Sequence, residues 1–125
     1  KKLVVYIFLN KEIKSRDINF TKCSANVAYC SFDFICNTNL AHDDYTSIAK
    51  EFNLIFIEKV PQMTNDYSDQ CRRFISLIDM LYENKCSVVI LAENPISSLC
   101  QITNLSKEFE RTASRLYEMT IIQSS

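Results

Sequence analysis

No glycine occurs anywhere in this 125-residue chain, although a typical usage of about 7% would place roughly nine in that length. Glycine supplies the positive φ and the close backbone approach that phosphate-cradling turns require. Its absence removes a Walker A loop, a G-x-G-x-x-G dinucleotide turn and a G-x-S-x-G nucleophile elbow from these residues. If nucleotide phosphates are handled, their cradle lies elsewhere. The length suffices for a single hydrophobic core. Hydrophobic residues at 47%, charged residues at 23% and a net charge of −1 leave no electrostatic footprint for nucleic acid. No apolar run approaches the roughly 18 residues that cross a membrane. A start at Lys1 and an end in Gln123, Ser124 and Ser125 lead us to expect a piece of a longer polypeptide.

Periodicity divides the chain. Residues 3–9, 18–23 and 28–36 read as β segments, the last because Tyr29, Ser31 and Asp33 alternate with Cys30, Phe32 and Phe34. Together they predict a small antiparallel sheet in a β-rich portion, residues 1–40, ahead of an α/β portion, residues 41–125. The period changes at Asp43, where Tyr45, Ile48, Ala49 and Phe52 mark a short amphipathic helix. Residues 54–57 are apolar on both faces, as in a parallel strand covered on both sides, and the run ends at Glu58-Lys59-Val60-Pro61. After Thr64-Asn65-Asp66, the stripe Cys71, Phe74, Ile75, Ile78, Leu81 and Tyr82 predicts a helix over 67–84. A second two-sided run, residues 87–92, ends at Glu93-Asn94-Pro95. Strand, helix and strand at this spacing form a parallel βαβ unit. A C-terminal helix over 107–119 then turns Phe109, Thr112, Ala113 and Leu116 inward. The expected class is α/β: a small N-terminal antiparallel β portion, a parallel βαβ unit and a C-terminal helix.

The βαβ unit carries a functional corollary. Parallel neighbours would bring Glu58 and Glu93 to the carboxyl edge, where open α/β sheets bind ligands. An apolar strand ending in an acid resembles a Walker B element, and Glu58 occupies that place. Asn94, at the tip of the next strand, is positioned to sense a γ-phosphate; the competing reading is a set of solvated strand ends. Arg72 and Arg73 lie on the polar side of the long helix, and Arg111 and Arg115 share a face of the last one. Like charges at i, i+4 cost roughly 0.2–0.5 kcal/mol. One reading is a salt-bridged surface, with Glu108 and Glu118 as partners. The other is an anion or subunit contact, including an arginine finger, because the guanidinium fork fits phosphate and carboxylate. Asp43 and Asp44 read as helix N-terminal charges, and His42 as a surface residue. Cys23, Cys30, Cys36, Cys71, Cys86 and Cys100 contain no C-x-x-C pair. With one histidine in the chain no metal site is assigned, and the cysteines read as buried reduced thiols. A cysteine-based redox protein is the competing reading.

Several ordered motifs between residues 27 and 120 carry a resemblance. They are Phe32-Asp33-Phe34; Asp44-Tyr45 with Ile48-Ala49-Lys50-Glu51-Phe52; Ile55-Phe56-Ile57 followed by Val60-Pro61 and Met63-Thr64; and Arg72-Arg73-Phe74-Ile75 with Leu77-Ile78-Asp79 and Leu81-Tyr82-Glu83. Val88-Val89 through Ala92-Glu93 to Pro95, and Phe109-Glu110-Arg111-Thr112 with Ser114-Arg115-Leu116 and Glu118-Met119, complete the set. This pattern resembles the C-terminal part of the AFG-like ATPases, the "ATPase family gene one" group of P-loop ATPases whose bacterial counterpart is ZapE. The resemblance implies that Walker A and the principal Walker B lie in the N-terminal half of a parent chain. ATP and Mg²⁺ would bind in that parent, with no cofactor for these residues alone. It further implies a homo-oligomer, client proteins, and ATP hydrolysis in mitochondrial protein quality control or, in bacteria, cytoplasmic division. The residues present are expected not to hydrolyse ATP alone; the alternative is a non-catalytic interaction module of the same architecture. Arg72, Arg73, Arg111 and Arg115 sit on matching motifs. The chain departs from the pattern with Glu58-Lys59 where the family commonly has Asp-Gly, and it has no glycine near residue 102.

Overall fold

The computed structural model describes residues 4–8, 22–24, 27–38, 40–92 and 94–124. In chain order they form β1 (Val4–Phe8), β2 (Lys22–Ser24), β3 (Val27–Ser31), α1 (Phe32–Cys36), α2 (His42–Glu51), β4 (Leu54–Val60), α3 (Ser68–Glu83), β5 (Ser87–Ala92), α4 (Ser106–Met119) and β6 (Thr120–Ser124). The strands make one sheet in the order β2-β3-β4-β5-β1-β6. Its centre, β3-β4-β5, is parallel, and the remaining pairings are antiparallel. The fold is therefore α/β, and β4, α3 and β5 form the expected βαβ unit.

The three N-terminal segments do not form a sheet of their own. β2 pairs antiparallel with β3, but β1 inserts between β5 and β6 at the other side of the sheet. An apolar β5 left at an edge would expose a row of unpaired backbone groups, and antiparallel β1 occupies that edge. Much of the segment predicted over 18–23 lies outside the described residues. The strand predicted over 28–36 stops at Ser31, whose side chain accepts a hydrogen bond from the Phe34 N–H at 3.0 Å and caps α1. Local alternation there is overridden by a cap, and Phe34 is left 41% exposed. A final strand, β6, follows α4 where no strand was expected.

Short α1 leaves carbonyl oxygens at its C-terminal end that need donors. The buried Tyr45 hydroxyl of α2 donates to the Ile35 carbonyl at 2.8 Å, and Arg73 Nη1 of α3 donates to the Cys36 carbonyl at 3.2 Å. α2 starts at His42, with Asp43 and Asp44 in its first turn, and the Asp44 carboxylate accepts the Ala41 N–H at 2.9 Å. The aromatic rings of Tyr67, Phe32, Phe74 and Phe109 follow one another with centroids 6.0–6.5 Å apart. They join α1, α3 and α4 in one core. From the sheet, that core takes Ala28, Cys30, Ile55, Ile57, Val88, Ile90 and Ala92. The alternate residues Val27, Tyr29, Leu54, Phe56, Val89 and Leu91 point to the opposite face and are not part of it.

Candidate functional site

Two features meet at the carboxyl end of β4. Opposite Ile90 and Ala92 of β5 stand Ile57 and Val60 of β4, so two residues, Glu58 and Lys59, oppose the single Leu91. This is a β-bulge. Lys59 adopts φ 56°, the left-handed region that glycine enters without penalty and that costs an L-residue roughly 1–2 kcal/mol. Glu58 is exposed and lies within β4, two residues before its end. It is a bulge residue and not the terminus that the Walker B comparison anticipated.

A cavity of about 450 Å³ at this rim is lined by Glu58, Lys59, Pro61, Gln62, Leu91 and Asn94, among others. A second, of about 380 Å³, shares Glu58, Lys59 and Leu91 and extends over Tyr29, Cys30 and Phe56. The structure thus brings Glu58 and Asn94 to one crevice; Glu93 lies outside the described residues. The Tyr29 and Phe56 rings stack with centroids 4.3 Å apart and planes inclined by 17°, and Tyr29 is 42% exposed. This aromatic pair was not anticipated, because on paper Phe56 belongs to a uniformly apolar run. Below it, burial, reinforced by the Glu58 carboxylate, pushes the Cys30 thiol up to about 12. Among the described residues no three His, Cys, Asp or Glu side chains converge to hold a metal ion.

The arginines behave differently from one another. Arg115 Nη1 contacts Asp79 Oδ1 at 2.5 Å, and Arg111 Nη2 contacts Asp79 Oδ2 at 3.3 Å, so one α3 carboxylate receives both α4 cations. Arg115 also lies over the Tyr82 ring, 4.7 Å from its centroid. The like-charge pair is therefore bridged by Asp79, a partner 32 and 36 residues away in sequence; the side chain of Glu118 lies outside the described residues. Arg73 is held by the end of α1. Arg72 and Arg111 are both exposed, and of the four only Arg72 makes no hydrogen bond or ion pair among the described residues. His42 is exposed, as expected. Cys30, Cys36, Cys71 and Cys86 are buried and Cys100 is half-buried, none of them in a disulfide.

The AFG1-like ATPase family model matches residues 9–124. The chain belongs to the AFG1-like ATPase family. It is 33% identical over 107 residues to lactation elevated protein 1 homolog B of Danio rerio, a match covering 86% of this chain and 21% of that relative. It is 36% identical over 89 residues to cell division protein ZapE of Escherichia coli K12, covering 71% of this chain and 24% of that protein. The matched region thus spans between a fifth and a quarter of the length of these relatives. No solved structure matches the chain significantly.

Proposed function

We infer that this chain is the distal part of an ATP-hydrolysing AFG1-like protein and that its contribution is a cation acting outside the chain, carried by Arg72. The phosphate loop and the Mg²⁺ site belong to the N-terminal half of the parent, since a chain without glycine offers no Walker A turn. ATP and Mg²⁺ are therefore cofactors of the parent and not of these residues alone. One observation carries the assignment to Arg72. Arg73, Arg111 and Arg115 are each engaged by a carbonyl or by Asp79, whereas Arg72 is exposed with no such partner among the described residues. A free guanidinium on a rigid helix is suited to a phosphate on a neighbouring subunit, where an arginine finger typically raises kcat by about 10³–10⁵. Glu58 and Asn94 remain the candidates for the rim crevice. The family resemblance favours a mitochondrial setting in a eukaryote and a cytoplasmic one in a bacterium, and relatives in a vertebrate and a bacterium are compatible with either. Protein clients are the expected partners, and nucleic acid is not.

The test is complementation in mixed oligomers of the parent. One variant carries Arg72→Ala and the other lacks the phosphate-loop lysine, so each is inactive alone. Mixing restores Mg²⁺-dependent ATP turnover if Arg72 acts on a neighbour's nucleotide; failure to restore it, with mixed assembly verified, refutes the assignment. A second reading, a non-catalytic interaction module, draws support from the exposed Tyr29–Phe56 stack on the sheet face outside the main core. It requires a parent that assembles with a protein partner and turns over no ATP.

A further inference from the structure

Two thiols from distant parts of the chain meet beside a cavity. Cys71, on the first turn of α3, is fully buried, and its S–H points to the Cys100 sulfur with the two Sγ atoms 3.8 Å apart. Cys100 follows the 3₁₀ turn after β5 and is half-buried. Its backbone is fixed by a short parallel bridge to Met63, in which the Met63 N–H donates to Leu99 at 2.6 Å and the Gln101 N–H donates to Met63 at 2.8 Å. A cavity of about 440 Å³, lined by Cys100 with Ile96, Ser106, Phe109 and Glu110 among others, opens onto this position and does not include Cys71. One sulfur is thus reachable by a small molecule, and the other waits behind it.

We propose that Cys71 and Cys100 form an oxidisable dithiol, a modification site at which a hydroperoxide oxidises Cys100 and Cys71 closes an intramolecular disulfide. The first step transfers one peroxide oxygen to sulfur: Cys100–SH and H₂O₂ give Cys100–SOH and water. In the second, the Cys71 sulfur attacks the Cys100 sulfur, the S–O bond breaks, and the hydroxyl leaves as water with the Cys71 proton. Two thiols and one peroxide become one disulfide and two waters. The sulfurs must approach by about 1.8 Å to reach the normal S–S length of about 2.05 Å. Burial of Cys71 raises its thiol well above the ordinary range. Peroxide therefore meets Cys100 first, while the position of Cys71 against the Cys100 sulfur, and not its nucleophilicity, fits it to the resolving role. The bond would fasten the start of α3, the helix carrying Arg72, to the segment after β5. The modification does not depend on the ATPase reading and can hold if that reading fails.

The test is peroxide treatment of the full-length protein at near-stoichiometric dose, followed by alkylation, tryptic digestion and mass spectrometry. The expected product joins the peptide spanning 60–72 to that spanning 86–107 through Cys71 and Cys100, is 2 Da lighter than the sum of the two peptides, and is reversed by dithiothreitol. Fragmentation distinguishes Cys100 from Cys86 in the second peptide. In Cys71→Ser, Cys100 should instead be trapped by dimedone as sulfenic acid, at least tenfold more than in the unsubstituted protein. Equal dimedone trapping in both proteins, or oxidation that never yields the 71–100 link in the unsubstituted folded protein, overturns the proposal.

Discussion

The helix-covered face of the sheet and the rim at the carboxyl end of β4 use similar residue types in opposite ways. On the covered face, charges that meet between helices are answered within the chain at Asp79 and Arg73. Asp79 receives Arg111 and Arg115, Arg73 closes the end of α1, and a column of aromatic rings locks α1, α3 and α4 together. At the rim, Glu58 and Lys59 are exposed, Lys59 holds a left-handed backbone, and Tyr29 presents its ring to solvent. The difference teaches that matching a family motif does not by itself make an arginine functional. Three of the four motif arginines are occupied in holding helices, and the lack of such a partner among the described residues separates Arg72 from them.

The contrast can be broken or sharpened by substitution. The largest expected effect is that of Phe74→Ala, which removes a fully buried ring lying between Phe32 and Phe109. It should cost about 3–5 kcal/mol in urea unfolding. Arg115→Ala comes next: it removes a charge-assisted hydrogen bond to half-buried Asp79 and the Tyr82 contact, and should cost about 2 kcal/mol. The more exposed Arg111 should give a smaller loss under the same substitution.

Third is a pH effect confined to the covered face. Burial raises the folded-state values of the Cys30 and Cys71 thiols above the unfolded 9.0 to about 12. Their stabilising contribution is complete below pH 9 and is lost as pH rises toward 12, because the unfolded chain releases protons that the folded one retains. Unfolding free energy measured across this window should fall as pH rises, and the fall should be smaller in Cys30→Ala. Fourth, Lys59→Gly should stabilise the protein by about 1 kcal/mol, relief of the left-handed lysine exceeding the added entropy of the unfolded chain. Lys85 offers a control at φ 57°, because it sits just past the end of α3 in a Schellman motif. There the Cys86 N–H donates to Leu81 at 2.9 Å and the Lys85 N–H donates to Tyr82 at 3.2 Å. Lys85→Gly should give a similar gain. The smallest effect on stability is that of Arg72→Ala, within about 0.5 kcal/mol, since the side chain is exposed.

The βαβ unit was legible because its signals are local. The stripe from Cys71 to Leu81 is buried as its helical period requires, and the two-sided runs of β4 and β5 became adjacent parallel strands. The position of β1 was not legible, since nothing within residues 4–8 states that they pair with 88–92 and 120–124. α1 was misread because five residues of alternation are compatible with either period; the Ser31 cap was the available clue. At the candidate site, the types and helical positions of the arginines were readable. Their division into occupied and free was not, because it depends on Asp79 and the Cys36 carbonyl, each more than 30 residues distant. The left-handed backbone of Lys59 was not legible, because the usual marker of that conformation, a glycine, does not occur in the chain.

The most direct test of the account is steady-state ATP turnover of the intact parent carrying Arg72→Ala, set beside Arg115→Ala, with thermal unfolding measured on both. The account predicts that Arg72→Ala lowers kcat by about 10³-fold or more with its melting temperature unchanged, while Arg115→Ala lowers the melting temperature. Full turnover by a stably folded Arg72→Ala protein would contradict it.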